Sequence, residues 1–328
     1  MMRHLILAMA ICAAAGFAAA AEKQEAFTDP AKAGPDFAIQ GEYKGELKAD
    51  DQSLPLGAQV IALGDGKFHG VFYFNGLPGE GWTRNDNKVE ADSETVDGAV
   101  TFTGDGGSAK ITDGKMKVFN PSGDPIGTLE RVERKSPTLG AKPPQGAKVL
   151  FDGSSADKWL NGKIGEGNTL LSTGARSMDE FQDFTLHIEF RTPFVPAARG
   201  QARGNSGVYL QNRYELQVLD SFGLEGLDNE CGGFYSIRQP DVNMCYPPLS
   251  WQTYDIDFTA ARFDGDQKVK NARVSVKHNG VTIFNDFELP KLTPGGAPSE
   301  QPGKGPLMLQ AHGNPVTYRN IWVVEKKS

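Results

Sequence analysis

The sequence predicts an all-β protein with two domains. Short apolar runs alternate with polar residues at period two, which is typical of half-buried strands, and helical periodicity is nearly absent. The 39 glycines and 20 prolines indicate many tight turns between these strands. A chain of 328 residues is longer than one ordinary domain, so two are expected.

The N-terminus has the pattern of a secretory signal peptide. A basic start at Arg3 precedes an apolar run from Leu5 to Phe17 and an alanine-rich cleavage site that ends at Ala21. The apolar run is too short to span a bilayer as a stable helix, and no later stretch is apolar enough. We therefore expect residues 1–21 to be removed and the protein to be exported, to a periplasmic or extracellular location.

The charge balance excludes two classes of partner. The formal net charge is -7, and it becomes -8 once Arg3 leaves with the signal. An acidic protein is a poor ligand for nucleic acid or anionic lipid. The oligomeric state is left open by the sequence.

Residues 36–133 are predicted to form a small antiparallel β domain, either a barrel or a sandwich. Its strands are separated by hairpin signals such as Gly64-Asp65-Gly66 and Asp113-Gly114. In its one conspicuous loop, Trp82 is expected to pack against the other domain, with stacking on a ligand as the alternative. The sequence does not indicate the role of this domain. Residues 134–147 contain three prolines and two glycines and are predicted to be an extended linker.

Residues 148–328 are predicted to form a sandwich of two sheets around one hairpin. Its arms are 204–211 and 214–221, and Asn212-Arg213 is the expected turn. On one face the arms present apolar side chains, and on the other they present Tyr209, Gln211, Glu215 and Gln217. Amides, an aromatic ring and a carboxylate suit a sugar-sized polyol. An ordinary solvated sheet face is the alternative.

Two cysteines remain in the mature chain, Cys231 and Cys245. In an oxidising compartment they are expected to form one disulfide, which would close a loop of 14 residues and stabilise the fold by roughly 3 kcal/mol. The alternative is a pair of free buried thiols.

Several separated motifs in this half resemble one known family. They are Leu150-Phe151-Asp152-Gly153, Asn205 to Gln211, Tyr214 to Ser221, Trp251 to Ile256, His312 to Val316, and Arg319 to Trp322. Together, over about residues 148–326, they resemble the 3-keto-disaccharide hydrolases, also described as 3-keto-glycoside lyases and 3-keto-glucal hydratases. The resemblance implies a concanavalin-A-like jelly-roll sandwich that acts on sugars oxidised at C3. It also implies that the loop between the two cysteines edges the pocket.

Such chemistry needs a base at C2 and an acid near C1. Because Met308, Gln310 and His312 share one face at period two, Gln310 and His312 are expected to join Glu215 and Gln217. His312 is the candidate base or acid, and Glu215 is its partner or a metal ligand. Further candidates for the acid, for hydroxyl binding and for enolate stabilisation are Asp220, Tyr235, Asn205 and Arg319.

Each assignment has a structural alternative. His312 could be a structural residue that is held by hydrogen bonds and takes no part in catalysis. Glu215 could form an ion pair with Arg213 or Arg319, and Asp220 could cap a turn. No organic cofactor is expected. The ligand types argue against zinc, while a calcium-like divalent cation on Glu215 or Asp220 stays open.

Three functions therefore compete. The first is an exported lyase, hydrolase or hydratase of 3-keto-glycosides, the second a noncatalytic carbohydrate-binding protein, and the third a structural exported protein.

Overall fold

The computed structural model describes residues 25–49 and 52–326. The predicted signal peptide lies outside this part of the chain. None of the described helices reaches the length and apolar character that a membrane crossing requires. Within the described residues the fold is almost entirely β structure, as the period-two pattern predicts, and the strands form a closed barrel followed by a sandwich.

The first domain is a closed barrel of eight antiparallel strands, each paired with the next and the last with the first. The short helix α1 (Gly34–Ile39) precedes it. Its strands are β1 (Gly41–Ala49), β2 (Gln52–Gly64), β3 (Lys67–Phe74), β4 (Lys88–Val96), β5 (Ala99–Gly104), β6 (Gly107–Thr112), β7 (Lys115–Phe119) and β8 (Pro125–Val132). Tyr43, Phe68, Phe102 and Met116 fill the interior, as an eight-stranded barrel requires. The prediction of a barrel or a sandwich therefore resolves to a barrel.

The second domain is a sandwich of two antiparallel sheets. Its strands are β9 (Lys148–Phe151), β10 (Trp159–Leu160), β11 (Ile164–Gly165), β12 (Thr169–Leu171), β13 (Ala175–Phe181), β14 (Phe184–Arg191), β15 (Ser206–Leu210), β16 (Tyr214–Val218), β17 (Gln252–Thr259), β18 (Arg262–Asp264), β19 (Gln267–Lys270), β20 (Ala272–His278), β21 (Val281–Leu289), β22 (Gly305–Leu309) and β23 (Thr317–Glu325). The smaller sheet has the strand order β10, β13, β22, β15, β16, and the larger has β11, β12, β23, β14, β17, β20, β21, with β9 paired to β23. Strands β18 and β19 pair as a separate two-stranded sheet.

The core between the two sheets fixes which side chains face outward. Tyr214, Leu216 and Val218 are fully buried among residues of the larger sheet, and the rings of Tyr214 and Phe258 lie 5.9 Å apart. Burying this apolar face is the main favourable term in sheet packing. Because side chains alternate along a strand, Glu215 must point to the opposite face.

Residues 134–147 do not form a free linker but lie along the outer face of the larger sheet. The backbone N–H of Gly140 donates to Oε1 of Glu189 at 2.5 Å, and Thr138 Oγ1 donates to Oδ2 of Asp255 at 2.6 Å. Asn320 Nδ2 donates to the carbonyl oxygen of Ala141 at 3.0 Å. The prediction of an extended linker thus missed its anchoring, because the partners are polar groups far away in sequence.

Candidate functional site

A pocket of about 190 Å³ opens on the face of the smaller sheet that points away from the core. It is lined by Gln201, Asn205, Glu215, Gln217, Tyr235, Pro294, Gly295, Gln310 and His312. Six of the residues proposed from the sequence therefore meet here. A larger cleft of about 510 Å³ between the domains is lined by no histidine. Its buried carboxylate, Glu42, is paired with Arg134, so the smaller pocket is the better catalytic candidate.

The hairpin β15–β16 supplies the floor of this pocket. Its register places Tyr209 opposite Glu215, and both side chains lie on the outward face. The tight turn is centred on Gln211 and Asn212, whose φ angles are 53° and 55°, and it is closed by Arg213 N–H donating to the Leu210 carbonyl. The expected turn at Asn212-Arg213 is therefore wrong by one residue.

This shift removes Gln211 from the predicted patch. Its side chain donates to the backbone oxygens of Phe181 and Gly303, at 2.8 and 3.2 Å, and it does not line the pocket. Gln211 fastens the turn to neighbouring loops instead of facing a ligand.

Glu215 lies in an environment that favours its neutral form. Its Oε2 is 2.7 Å from the Tyr209 hydroxyl oxygen. That hydroxyl oxygen also lies 2.6 Å from the Pro294 carbonyl oxygen, and it accepts a hydrogen bond from Gln310 Nε2 at 3.3 Å. A tyrosine hydroxyl has one proton, and a carbonyl can only accept. All three contacts are satisfied when Tyr209 donates to Pro294 and a protonated Glu215 donates to Tyr209.

The electrostatics agree with this count of protons. Burial raises the pKa of Glu215 to about 7, although hydrogen bonding with Tyr209 acts in the opposite direction. Glu215 is 3% exposed, and no lysine or arginine lines the pocket to stabilise its anion. The pocket floor therefore carries a carboxylic acid that is about half protonated at pH 7 and mostly protonated below it.

Gly207 makes room for this carboxyl group. A Cβ built on Gly207 would lie 2.2 Å from Oε1 of Glu215, which is closer than any real contact allows. The motif Asn205-Ser206-Gly207 thus requires glycine for close approach and not for a special backbone angle.

Gly207→Ala is expected to displace the Glu215 side chain and lower turnover by about 100-fold, since a shift of about 1 Å at a reacting group has that effect. Steady-state kinetics on a 3-keto-glycoside would measure the loss. Gly104→Ala is the control, at a barrel glycine outside the left-handed φ region where an added Cβ would meet nothing within 4 Å. Unchanged turnover in Gly207→Ala would contradict the close-approach argument.

Three acceptor oxygens of the pocket residues have no hydrogen-bond partner within the described part of the chain. They are Oδ1 of Asn205, Oε1 of Glu215 and Oε1 of Gln310, all buried. The Asn205 amide is oriented by Gln201, whose backbone oxygen and Oε1 accept from Nδ2 at 3.0 and 2.9 Å. Unpaired buried acceptors cost free energy until a donor arrives. Sugar hydroxyl groups are suitable donors.

His312 and Tyr235 lie at the edge of the pocket. His312 follows the end of β22 and is exposed, on the face predicted from Met308 and Gln310. Tyr235 is half-buried, and its backbone N–H donates to the Glu215 carbonyl at 3.3 Å, which holds its loop against β16.

Besides Gln211, three proposed residues do not line the pocket. Tyr209 is fully buried beneath it, where it bonds Glu215. Asp220 accepts from Arg203 Nε at 2.7 Å, so its carboxylate is already paired. Arg319 lies on β23 of the other sheet, where it pairs with Glu189 at 2.6 Å and stacks on Trp251 at 4.0 Å. Glu215 pairs with neither Arg213 nor Arg319.

The expected disulfide is not present. Cys231 and Cys245 are free buried thiols, and Cys231 Sγ contacts the Tyr254 hydroxyl at 3.2 Å. The segment between them nevertheless borders the pocket, since Tyr235 belongs to it.

The donor set does not fit a divalent cation. No group of three His, Cys, Asp or Glu side chains that could hold a metal occurs in residues 25–49 and 52–326. Of the two carboxylates considered, Asp220 is paired with Arg203 and Glu215 favours its neutral form. Because hard cations require ionised or carbonyl oxygens in number, we derive no step through a metal.

Sequence reasoning missed Gln201, Pro294 and Gly295. Gln201 lies in a one-turn 3-10 helix (Gly200–Ala202) and the other two lie in a loop, where no periodic pattern assigns a side chain to a face. A Cβ on Gly295 would lie 2.7 Å from the Tyr209 hydroxyl, at a φ of 83° that favours glycine. The Pro294-Gly295-Gly296 run was the available signal, because such runs mark close backbone approach.

The sandwich that contains this pocket is similar to known proteins. Residues 146–324 match the model of the 3-keto-alpha-glucoside-1,2-lyase-like domain. A crystal structure from Parabacteroides distasonis, described as a candidate glycosyl hydrolase, is 32% identical with a TM-score of 0.50, covering 56% of this chain and 85% of that one. A second from the same organism, described in the same way, is 18% identical with a TM-score of 0.43, covering 56% and 95%. A comparison with curated proteins gave no match.

Proposed function

The chain belongs to the family of 3-keto-alpha-glucoside-1,2-lyase-like domains, through residues 146–324, and from this premise we propose that it cleaves 3-keto-glycosides by elimination. The substrate is a neutral pyranoside oxidised at C3. The proposed reaction removes the proton at C2 and expels the substituent at C1. We further propose that the protein acts after export.

One observation carries the proposal, namely the buried carboxyl group of Glu215, its pKa raised to about 7, on the floor of a pocket lined by no lysine or arginine. The unpaired oxygens of Asn205 and Gln310 can accept from sugar hydroxyl groups. The pocket volume of about 190 Å³ suits one sugar ring, so the leaving group extends toward solvent. A neutral acid beside a neutral sugar is the arrangement that protonation of a leaving oxygen needs.

In the first step His312 takes the proton from C2. The carbon–hydrogen electron pair forms the C2–C3 double bond, and the C3 carbonyl becomes an enolate. Gln310 Nε2 uses one of its two N–H groups on Tyr209, which leaves the other for the enolate oxygen. The Tyr235 hydroxyl at the pocket edge is a second donor.

In the second step the C3 carbonyl re-forms and the electron pair moves to a C1–C2 double bond. The Glu215 proton, which is hydrogen-bonded to Tyr209 at rest, turns toward the pocket and passes to the glycosidic oxygen as the bond between C1 and that oxygen breaks. The Glu215 anion then accepts from Tyr209 until it regains a proton from solvent. The same two groups, working in reverse, add water across the C1–C2 bond, which gives the hydratase reaction.

A chromogenic glucoside tests this function in its 3-keto form and in its parent form. Release of the chromophore is expected from the 3-keto form alone, with turnover unaffected by a chelator. His312→Ala is expected to lower turnover by about 100-fold, the usual loss when a general base is removed. Saturable binding of the unoxidised glycan without release would instead identify a carbohydrate-binding protein.

A further inference from the structure

The segment 226–240 forms one wall of the pocket. The Gly232 N–H donates to the Gln217 carbonyl and the Gln217 N–H to Gly233, at 3.0 and 2.9 Å. The Asn229 carbonyl accepts from the amides of Gln201 and Gln217, at 2.8 and 3.4 Å. This segment, which we call the wall loop, therefore continues the sheet beyond β16 and orients side chains that line the pocket.

The wall loop is closed at its neck by a residue of the other domain. Arg84, in the barrel loop between β3 and β4, donates to the carbonyl oxygens of Glu225 and Gly226 on one side, each at 2.9 Å. On the other side it donates to Pro240 and Asp241, at 3.0 and 2.9 Å. One guanidinium thus joins both ends of a segment of 15 residues.

The chemistry of this closure requires the planar fork of arginine. The guanidinium donates through Nε, Nη1 and Nη2 to four backbone carbonyl oxygens. These oxygens belong to two adjacent pairs of residues, which lie about 15 positions apart in the sequence. The approach is tight, because a Cβ on Gly226 would lie 3.0 Å from Nη2 of Arg84. A compact loop whose ends are held together loses conformational freedom before any ligand binds.

The Arg84 loop is itself rigid. Asp86 accepts from the backbone and hydroxyl of Thr83, both at 2.8 Å, and from Asn75. The Trp82 ring packs edge-on against Tyr73 at 4.9 Å, which is a contact within the barrel and not the contact with the other domain that was expected. The barrel therefore presents Arg84 from a fixed position.

We propose that the N-terminal barrel serves as an intramolecular clamp, in which Arg84 is a positioning residue that holds the wall loop, and through it Tyr235 and Gln217, in the sugar-binding arrangement. The effect on catalysis rests on the proposed function. The effect on the loop does not. The barrel thus holds this loop closed, as the disulfide predicted between Cys231 and Cys245 would have done.

Hydrogen exchange read by mass spectrometry tests the clamp in the full-length protein. In Arg84→Ala, the amides of Gly232 and Tyr235 are expected to exchange about 10-fold faster or more, with β14 and β17 unchanged, since the loop opens locally. Arg84→Lys keeps the charge but loses the fork, and it is expected to match Arg84→Ala. Lys88→Ala is the control, because Lys88 pairs with the Glu225 side chain on the same surface without closing the neck.

Kinetics on the 3-keto-glycoside give a second readout. Arg84→Ala is expected to raise KM by roughly 10-fold and to lower kcat by only about 3-fold, because Glu215, His312 and Gln310 lie outside the wall loop and only the second enolate donor, Tyr235, belongs to it. Faster loop exchange in a protein that cleaves no 3-keto-glycoside would support the clamp and reject the proposed function. Unchanged loop exchange in a folded Arg84→Ala, full protection in Arg84→Lys, or acceleration throughout the sandwich would each overturn the clamp.

Discussion

Glu215→Gln is expected to lower turnover of a 3-keto-glycoside by about 100- to 10,000-fold, the range for loss of a general acid. Glutamine keeps the shape of the protonated side chain. Its Nε2 can donate to Tyr209 as the acid does, so the pocket stays intact while the transferable proton is lost.

The pH dependence identifies the group. Glu215 must be protonated to act, and burial raises its pKa to about 7. Wild-type turnover is therefore expected to fall about 10-fold per pH unit well above pH 7, and the residual activity of Glu215→Gln should lack this limb.

Glu300→Gln is the matched control. Glu300 is another partly buried carboxyl group of the sandwich that contacts a tyrosine hydroxyl, that of Tyr214, but it lies outside the pocket. Its replacement should leave turnover and the pH profile unchanged. Wild-type turnover in Glu215→Gln would show that Glu215 is not the general acid.

Glu215→Gln is also expected to stabilise the folded protein, relative to the wild type, above pH 7. For Glu215 the pKa is about 4.5 when unfolded and about 7 when folded, so the folded state holds the proton more tightly. The stability linked to this proton is complete below pH 4.5 and is lost as pH rises through 7. At about 1.4 kcal/mol per unit, the total loss is about 3 kcal/mol.

Denaturant unfolding at pH 5 and pH 8 measures this effect. The free energy of unfolding of Glu215→Gln, relative to the wild type, should increase by up to about 3 kcal/mol between the two values, since glutamine has no proton to lose. Such a gain in stability with a loss of activity is typical of residues kept for function. Parallel stabilities of the two proteins across this range would contradict a raised pKa.

Strand parity was sufficient to predict the centre of the site. Alternation along β16 placed Glu215 and Gln217 together, and alternation through β22 placed Gln310 and His312 with them, because one buried face fixes the other. Turn signals and short alternating runs predicted the second domain as a sandwich, but for the first domain they left a barrel and a sandwich as alternatives.

Strand parity could not predict the positions of other residues, because these depend on strand pairing, turn geometry and contacts with distant backbone atoms. Arg319 alternates correctly but belongs to the other sheet, and sheet membership is decided by long-range pairing. Gln211 was misplaced because the turn begins one residue earlier than its sequence suggests. Arg84 escaped notice because its partners are backbone oxygens, which leave no signature in the sequence.

The central claim is that burial raises the pKa of Glu215 to about 7, and titration of this group tests the claim most directly. With carbon-13 in the glutamate carboxyl groups, the resonance that Glu215→Gln removes should titrate near pH 7. A midpoint near 4.5, the ordinary value for glutamate, would show an ionised carboxylate in the resting pocket and would contradict the proposed acid.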